Sequence, residues 1–294
     1  MVIFDALQNA AKRLRPKRIN CPPDQNVGWL EAEILMAHTL GREKSWIMAH
    51  ANRALTPAET RAFERCVRAR LAHKPIAYIL GYQEFYGRRF LVNRYTLIPR
   101  PESELFIDIL MQEPPKDTVI WDVGTGCGAI GISAAREFPS VHVIASDRSR
   151  RALRMAGDNA FAHGVDGRVM FLRGNLLSRT IVTAIERANK TLMVLANLPY
   201  LPESDRKKLQ PDVVAFEPRR ALFAKDKGMA LNKTLLTNLR ERLHTVPERI
   251  LLEFDPPQSR DLKRFASSLF PEAMIGVHND LAGRNRILDI RFGT

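Results

Sequence analysis

Apolar residues in the first quarter of the chain recur every three or four positions, the spacing that places them on one face of an α-helix. The residues that follow this spacing are Ile3, Phe4, Leu7, Ala11 and Leu14 near the N-terminus, and Phe63, Val67 and Leu71 further on. Helices this short gain most of their stability by packing an apolar face against a neighbour. Residues 1–75 are therefore predicted to form a small all-helical domain.

Two helix ends in this region have clear sequence signals. Thr56, Pro57 and Glu59 match an N-cap, a proline at the first helical position and a capping box. The segment WLEAEILMAHTLG stops at Gly41, a residue that suits the left-handed backbone after a helix. These signals predict helices that end shortly before Gly41 and begin at Pro57.

The hydrophobic pattern changes at residues 76–104. AYILGYQEFYGRRFLV is aromatic and apolar and is punctuated by Gly81 and Gly87, which is typical of a β-hairpin. TLIPRPESE follows, and its two prolines are expected to exclude both helix and central strand. Residues 76–104 are predicted to be a hairpin followed by a stiff, proline-rich connection.

From Thr118 onward, short apolar runs alternate with segments of helical spacing. The predicted strands are TVIWDV, VHVIAS, RVMFL, TLMVLAN and RILLEF, with a closing hairpin in AMIGVHN and NRILDIRF. The predicted helices start around Ala129 and span about 149–163 and 229–244. This alternation is typical of a mainly parallel sheet covered by helices on both faces. Residues 105–294 are therefore predicted to form an α/β domain.

Composition limits the partners and the cellular compartment that these domains can have. The 294 residues carry a formal charge of +13 at pH 7, which favours an anionic partner such as RNA or a ribonucleoprotein. The cysteines, Cys21, Cys66 and Cys127, form no CxxC pair, and the histidines show no metal-binding spacing. No apolar run reaches the roughly 18 residues of a membrane span. A cytoplasmic protein with no membrane partner and no metal is expected.

A glycine-rich turn, WDVGTGCGAIGISAA, follows the first strand of the α/β region. Gly124, Gly126 and Gly128 allow the backbone to turn tightly and to approach a ligand closely. Ligands of such sheets bind at the carboxyl ends of the strands. The whole loop, including Thr125 and Cys127, is therefore predicted to contact a cofactor, with Cys127 filling space and not acting as a nucleophile.

Two cofactor classes fit this loop. Gly126, Gly128 and Gly131 match the G-x-G-x-x-G pattern of dinucleotide-binding proteins. Asp122, however, precedes the glycines, where its carboxylate would repel a pyrophosphate and attract an ammonium group. Asp147 ends the next strand at the spacing expected for a carboxylate that binds ribose hydroxyls. With no second nucleotide-binding half, the pattern favours S-adenosylmethionine as cofactor and S-adenosylhomocysteine as product.

The strand TLMVLA ends in an unusual cluster, Asn197, Leu198, Pro199 and Tyr200. An amide or aryl amine nitrogen is a poor nucleophile because its lone pair is delocalised, so methylation requires both of its N–H groups to be held. The Asn197 side-chain oxygen and the Leu198 carbonyl can accept them, Pro199 stiffens the turn, and Tyr200 can pack on the planar group. These four residues are predicted to bind substrate and to catalyse transfer by positioning, with Asn197 also beside the cofactor.

The chain resembles the peptide chain release factor glutamine N5-methyltransferases (HemK/PrmC type) over almost its full length. The matching segments, in order, are AYILGYQEFYGRRF, LIPRPESE, DVGTGCGAIG, ASD and DVVAFEPRRALFAKDKGM. The resemblance implies a seven-stranded, class I Rossmann-like methyltransferase domain that methylates the glutamine of the Gly-Gly-Gln loop in release factors. It also implies that residues 1–75 recognise the release factor and that Asn175 and Leu176 lie beside the cofactor adenine. The basic surface suits proximity to the ribosome or RNA.

Three positions depart from the family pattern. Leu198 replaces a proline, Asn175 replaces an aspartate, and EFDPPQ replaces a glycine-containing stretch. Asn-Leu-Pro-Tyr is also the form found in rRNA adenine dimethyltransferases, so adenine-N6 methylation of rRNA or DNA is the second hypothesis. A non-catalytic binding protein of the same fold is the third, and the intact glycine loop and Asn197 argue against it.

Overall fold

The computed structural model describes residues 1–14 and 25–293. Cys21 and the basic residues directly after Leu14 lie outside the described residues. The chain divides into two compact units, Met1–Gly81 with Gln210–Phe216, and Tyr82–Leu209 with Glu217–Thr294. In the described ranges, no helix has the length and apolar character needed to cross a bilayer.

Helices and strands follow one another along most of the described chain. The α-helices are α1 (Ile3–Leu14), α2 (Gln25–Leu40), α3 (Lys44–Ala49), α4 (Pro57–Leu71), α5 (Ile76–Leu80), α6 (Leu105–Gln112), α7 (Ala129–Glu137), α8 (Arg150–Ala162), α9 (Arg179–Ala188), α10 (Pro211–Phe216), α11 (Arg219–Leu222), α12 (Ala230–Arg242) and α13 (Ser259–Leu269). The strands are β1 (Tyr82–Phe85), β2 (Arg88–Leu91), β3 (Thr118–Val123), β4 (His142–Asp147), β5 (Val169–Arg173), β6 (Thr191–Ala196), β7 (Leu201–Pro202), β8 (Phe223–Ala224), β9 (Arg249–Glu253), β10 (Met274–Asn279) and β11 (Asn285–Arg291). Short 3₁₀ helices span Pro101–Glu104, Asp166–Arg168, Glu203–Lys208, Asp226–Gly228 and Pro256–Gln258.

The first unit is a bundle of short helices around one apolar core. Its most buried side chains come from α1 to α4 and include Ile3, Leu7, Leu35, Met36, Ile47, Phe63 and Val67. Arg70 of α4 lies 3.4 Å from the Asp212 carboxylate, which connects α10 to the bundle. The all-helical character predicted for the N-terminal region is confirmed.

The predicted helix ends carry the expected capping interactions. Thr56 Oγ1 accepts a hydrogen bond from the Glu59 backbone, and the Glu59 carboxylate accepts one from the Thr56 backbone, at 3.2 and 2.8 Å. Gly41 follows α2 with a φ of 61°. Phe4 and Leu71 depart from the prediction, since they are 43% and 40% exposed. Phe4 is turned about 100° from its buried neighbour on the helix, and Leu71 is the last residue of α4.

The predicted hairpin is present as β1 and β2, but the segment before it is helical. The two strands pair around Tyr86 and Gly87, whose φ angles are 49° and 68°. Residues 77–80, assigned to the hairpin from their apolar character, belong instead to α5, which Gly81 ends with a φ of 84°. The prolines also do not exclude helix, because Pro101 begins a 3₁₀ helix at the one turn where the missing N–H has no cost.

The second unit is built on a seven-stranded sheet in the order β10–β11–β9–β6–β3–β4–β5. The strands from β5 to β9 in this order are parallel, whereas β11 and β10 are antiparallel to their neighbours. The chain moves outward from β3 through β4 to β5 and then crosses back to β6 on the other side of β3. Such a reversal places a crevice at the carboxyl ends of the central strands. The predicted seven-stranded, Rossmann-like α/β fold is confirmed.

Strands β3 and β9 are buried over their whole length. Every residue of β3 and of β9 is buried, as expected for parallel strands covered on both faces. Trp121 in β3 is fully buried and donates its indole N–H to Ser146 Oγ of β4 at 2.8 Å. This packing holds the ends of the central strands in fixed register beside the crevice.

Candidate active site

A cavity of about 400 Å³ lies at the carboxyl ends of the central strands. Val123 pairs with Ala196 of β6 and with Ser146 of β4, so the loops after these three strands leave the sheet at the same level. The predicted site residues that line the cavity are Asp122, Gly124, Thr125, Gly126, Cys127, Asp147, Asn175, Leu176, Asn197, Leu198 and Pro199. Gly128 and Tyr200, also predicted as site residues, lie outside this lining.

The glycine loop has the backbone conformation that its composition suggested. Gly124, Gly126 and Gly128 have φ angles of 72°, 59° and 88°, values that L side chains rarely adopt. The backbone N–H groups of Gly124 and Thr125 donate to the Ser146 carbonyl at 2.8 and 2.9 Å. The loop is thus fastened to the end of β4.

Gly128 has a packing role. A Cβ at this position would overlap the Ile132 side chain and would lie 3.2 Å from Ala156 Cβ. Gly128 also precedes the first residue of α7. Its lack of a side chain therefore allows α7 to begin close against α8.

Asp122 is buried beneath the glycine loop. Its Oδ2 accepts hydrogen bonds from Thr125 Oγ1 at 2.6 Å and from the Gly131 N–H at 3.0 Å. Burial raises the pKa of Asp122 to about 6, although these two donors favour the ionised form. A Cβ at Gly131 would lie 2.8 Å from the same oxygen, so Gly131 makes room for Asp122.

Asp147 ends β4 and holds the other side of the loop. Its carboxylate accepts hydrogen bonds from the Gly126 N–H at 3.1 Å and from the Ser149 N–H at 2.8 Å. Burial raises the pKa of Asp147 above its ordinary value. The neighbouring Cys127 is buried, and the same effect raises the pKa of its thiol to about 12. A thiol of that pKa is a poor nucleophile at neutral pH.

A chain of side-chain hydrogen bonds fixes the end of β6. Asn197 Nδ2 donates to Ser103 Oγ at 2.9 Å, and Ser103 Oγ donates to Glu253 Oε2 at 2.6 Å. The Tyr200 hydroxyl donates to Glu253 Oε1 at 2.9 Å. Sequence reasoning missed Ser103 and Glu253, whose only signals were their places in IPRPESE and at the end of a predicted strand. Ser103 also lines the cavity.

Leu198 and EFDPPQ, which depart from the family pattern, are both accommodated. Leu198 is 5% exposed, and its side chain would lie 3.1 Å from a Cβ at Gly124, so it packs against the glycine loop. EFDPPQ contains a 3₁₀ helix in which Gln258 donates to the Tyr200 carbonyl at 2.6 Å and to the Lys227 carbonyl at 2.8 Å. This stretch therefore braces the Asn197–Tyr200 turn directly.

The proline-rich connection is anchored by a buried carboxylate. Glu217 accepts hydrogen bonds from the Arg100 guanidinium at 2.5 Å and from the Ile98 N–H at 3.2 Å. Arg100 and Glu102 are absent from the cavity lining, whereas Pro99 and Ser103 belong to it. Arg100 thus holds the segment in place from outside the cavity. Among residues 1–14 and 25–293, no cluster of three or more His, Cys, Asp or Glu side chains is arranged to hold a metal ion.

Comparison with known proteins places this chain in a family. Residues 5–81 match the PrmC N-terminal domain, and residues 101–203 match the methyltransferase small domain. A release factor glutamine methyltransferase of Staphylococcus aureus is 33% identical, over 89% of this chain and 91% of the relative. The chain belongs to the release factor glutamine methyltransferase family. The resemblance identified from the sequence is confirmed.

Two further relatives and one solved structure extend the comparison. The release factor glutamine methyltransferase of Bacillus cereus is 31% identical over 98% of both chains. The bifunctional methyltransferase of Rickettsia typhi is 30% identical over 98% of this chain, which spans only 57% of that relative's length. The hMettl16 catalytic domain, solved in complex with a MAT2A 3'UTR hairpin, superposes with a TM-score of 0.58 over 81% of each chain. Because it is only 13% identical, it shares the fold alone.

Proposed function

We propose that this protein transfers the methyl group of S-adenosylmethionine to the side-chain amide nitrogen of the glutamine in the Gly-Gly-Gln loop of peptide chain release factors. The observation that carries the proposal is that Asn197 and Leu198 line the same cavity as the glycine loop. Membership of the release factor glutamine methyltransferase family supports the choice of substrate.

The cavity residues fit S-adenosylmethionine as the cofactor. The Asp122 carboxylate would bind the ammonium group, since both of its hydrogen bonds fall on Oδ2 and leave Oδ1 for a ligand. Asp147 would accept the ribose hydroxyls, and Asn175 and Leu176 would lie beside the adenine. The positive φ angles of Gly124 and Gly126 allow the close backbone approach that a nucleoside requires. When bound, the cofactor supplies a methyl group on a positively charged sulfur, which makes that carbon electrophilic.

The protein's own contribution is to hold the acceptor amide. Asn197 Oδ1 accepts one N–H of the glutamine amide and the Leu198 carbonyl accepts the other, which orients the nitrogen toward the methyl donor. Among the described residues no group donates a hydrogen bond to the Leu198 carbonyl. The nitrogen gains a methyl group and releases one proton. The positively charged amide formed at transfer is strongly acidic, so water can take that proton and no basic side chain is needed.

The leucine at position 198 is compatible with glutamine chemistry. The proposed contact uses the backbone carbonyl, which any residue supplies, while the leucine side chain is buried in the core. Adenine-N6 methylation of rRNA or DNA remains the second candidate, because Asn-Leu-Pro-Tyr also occurs in rRNA adenine dimethyltransferases. The match of residues 5–81 to the PrmC N-terminal domain favours the release factor instead.

The remaining parts of the proposal concern partners and location. The bundle of residues 1–75 is proposed to recognise the release factor, with residues 76–104 as the connection and residues 105–294 as the catalytic domain. The net charge of +13 suits proximity to the ribosome or RNA. In the part of the chain that the structure describes, Cys66 and Cys127 are free thiols, which supports a reducing, cytoplasmic location. A membrane partner and a bound metal have no place in the proposal.

A methyl-transfer assay with a radiolabelled cofactor tests the proposal. The substrates are an intact release factor, its Gly-Gly-Gln variant with glutamine replaced by alanine, rRNA, and adenine-containing oligonucleotides. Label is expected on the intact release factor alone. Label on nucleic acid and none on the release factor would support the adenine alternative, and label on none of them would favour a non-catalytic role. An Asn197→Ala enzyme serves as the control for label that does not depend on this site.

A further inference from the structure

An asparagine amide has two ends of nearly equal shape and opposite hydrogen-bonding character. In the proposed function only the oxygen of Asn197 can accept an N–H group of the substrate, and the nitrogen in its place would repel that group. The end of β6 does not by itself decide which end of the amide faces the cavity. Some neighbouring group must fix the orientation.

The orientation of the Asn197 amide depends on Glu253, a carboxylate with no exposed surface. Burial raises the pKa of the Glu253 carboxyl, whereas its hydrogen bonds from Ser103 and Tyr200 favour the ionised form, and an ionised carboxylate can only accept hydrogen bonds. Its two oxygens accept from Ser103 Oγ at 2.6 Å and from the Tyr200 hydroxyl at 2.9 Å. The single hydroxyl proton of Ser103 is therefore committed to Glu253.

Ser103 passes this constraint on to Asn197. Because its proton is committed, Ser103 Oγ can offer Asn197 only a lone pair, and the group 2.9 Å away must be the Asn197 nitrogen. Ser103 is 2% exposed and sits on the 3₁₀ helix Pro101–Glu104, where its backbone N–H donates to the Arg100 carbonyl at 3.0 Å. Burial and this hydrogen bond thus fix the position of Ser103 itself.

We infer that Ser103, with Glu253 as its acceptor, is a positioning residue that turns the oxygen of Asn197 toward the reacting amide. This inference rests on the proposed function and adds a residue to it. It also gives Tyr200 a role away from the cavity. The tyrosine hydroxyl occupies the second oxygen of Glu253 and leaves the first oxygen to Ser103.

The first test compares three serine variants. Ser103→Ala removes the hydroxyl that orients Asn197, so we expect kcat on release factor to fall roughly ten- to hundredfold, with the Kd for S-adenosylmethionine within about twofold of wild type. Ser103→Thr keeps a hydroxyl and should recover most of the lost kcat. Ser133→Ala is the matched control, because Ser133 is fully buried, outside the cavity, and its Oγ has no partner among the described residues.

A double-mutant cycle separates positioning from general damage. In an Asn197→Ala enzyme there is no amide left to orient, so adding Ser103→Ala should change the single-turnover rate by less than about threefold. A second loss as large as the first would overturn the inference, and so would a Ser103→Ala enzyme with wild-type kcat. If wild-type protein transfers no methyl group to release factor, the proposed function fails and this inference fails with it.

Discussion

Gly131→Ala tests whether Asp122 is held in the position that the cofactor needs. Within a helix, glycine to alanine normally stabilises a protein by about 0.5–1 kcal/mol. Here the new Cβ would lie 2.8 Å from Asp122 Oδ2, 3.0 Å from Val143 Cγ1 and 3.1 Å from Asp122 Cβ. Overpacking of this kind costs about 1–3 kcal/mol. Displacing Asp122 would also lengthen its charged hydrogen bond from the Gly131 N–H, worth about 1.5–3 kcal/mol.

The expected net effect is a loss of about 1–3 kcal/mol in the free energy of unfolding, measured by urea denaturation. Calorimetry should show at least a tenfold increase in the Kd for S-adenosylmethionine, because the displaced Asp122 carboxylate would no longer meet the ammonium group. A tenfold increase corresponds to a loss of about 1.4 kcal/mol in binding free energy.

Gly157→Ala is the matched control for this substitution. Gly157 also lies within a helix, but nothing is within 4 Å of the Cβ that alanine would add. Alanine there should raise the free energy of unfolding by about 0.5–1 kcal/mol and leave cofactor affinity unchanged. If Gly131→Ala behaves like Gly157→Ala in both measurements, the proposed link from glycine to carboxylate to cofactor is wrong.

Three further predictions concern other parts of the catalytic unit. Gly228→Ala places a Cβ on the Tyr200 carbonyl oxygen, so urea denaturation should show a loss of at least about 2 kcal/mol; unchanged stability would contradict the packing. Asp122 has a pKa of about 6 and loses its charge as the pH falls through that value, so calorimetry should show a Kd for S-adenosylmethionine that is lowest near pH 7, where the ammonium group is also charged, and rises roughly tenfold per pH unit well below 6, whereas Asp122→Asn should show no such rise at low pH. Asp289→Asn removes the buried carboxylate that pairs with Arg249, whose side chain is 4% exposed, and leaves it only the exposed Glu113 carboxylate, so the free energy of unfolding should drop by about 3 kcal/mol; a loss below 1 kcal/mol would refute this.

The strands of the sheet could be predicted because burial on both faces requires continuous apolar runs. TVIWDV and RILLEF are such runs, and both correspond to strands in which every residue is buried. Helix α9 had no prediction, because Thr180 to Thr183 is a β-branched run that favours strand locally. Its buried residues, Ile181 and Ile185, are four positions apart and pack into the sheet's core. Tertiary packing decides the conformation of such a segment, and local propensity contains no information about that packing.

Some residues of the candidate site could likewise be predicted from the sequence, and others could not. The glycine loop and Asn197 follow predicted strands directly, so sheet topology alone brings them to one edge. Ser103 and Glu253 are 150 residues apart in the chain, and their hydrogen bond exists only once the proline-rich segment has folded against β9. Neither residue type indicates such a pair by itself. Two other roles also depend on the folded chain. Gly131 leaves space for the Asp122 carboxylate, and Gln258 braces the turn that contains Tyr200.

Mass spectrometry of the Gly-Gly-Gln peptide shows whether this protein methylates the glutamine side chain. Release factor incubated with S-adenosylmethionine and the wild-type protein is digested, and fragmentation locates any added methyl group. One methyl group on the glutamine side-chain nitrogen, formed much more slowly by the Asn197→Ala protein in the same incubation, is the predicted result. The proposed function would be wrong if the glutamine stays unmodified while the same preparation methylates rRNA or DNA. The substrate would then be nucleic acid.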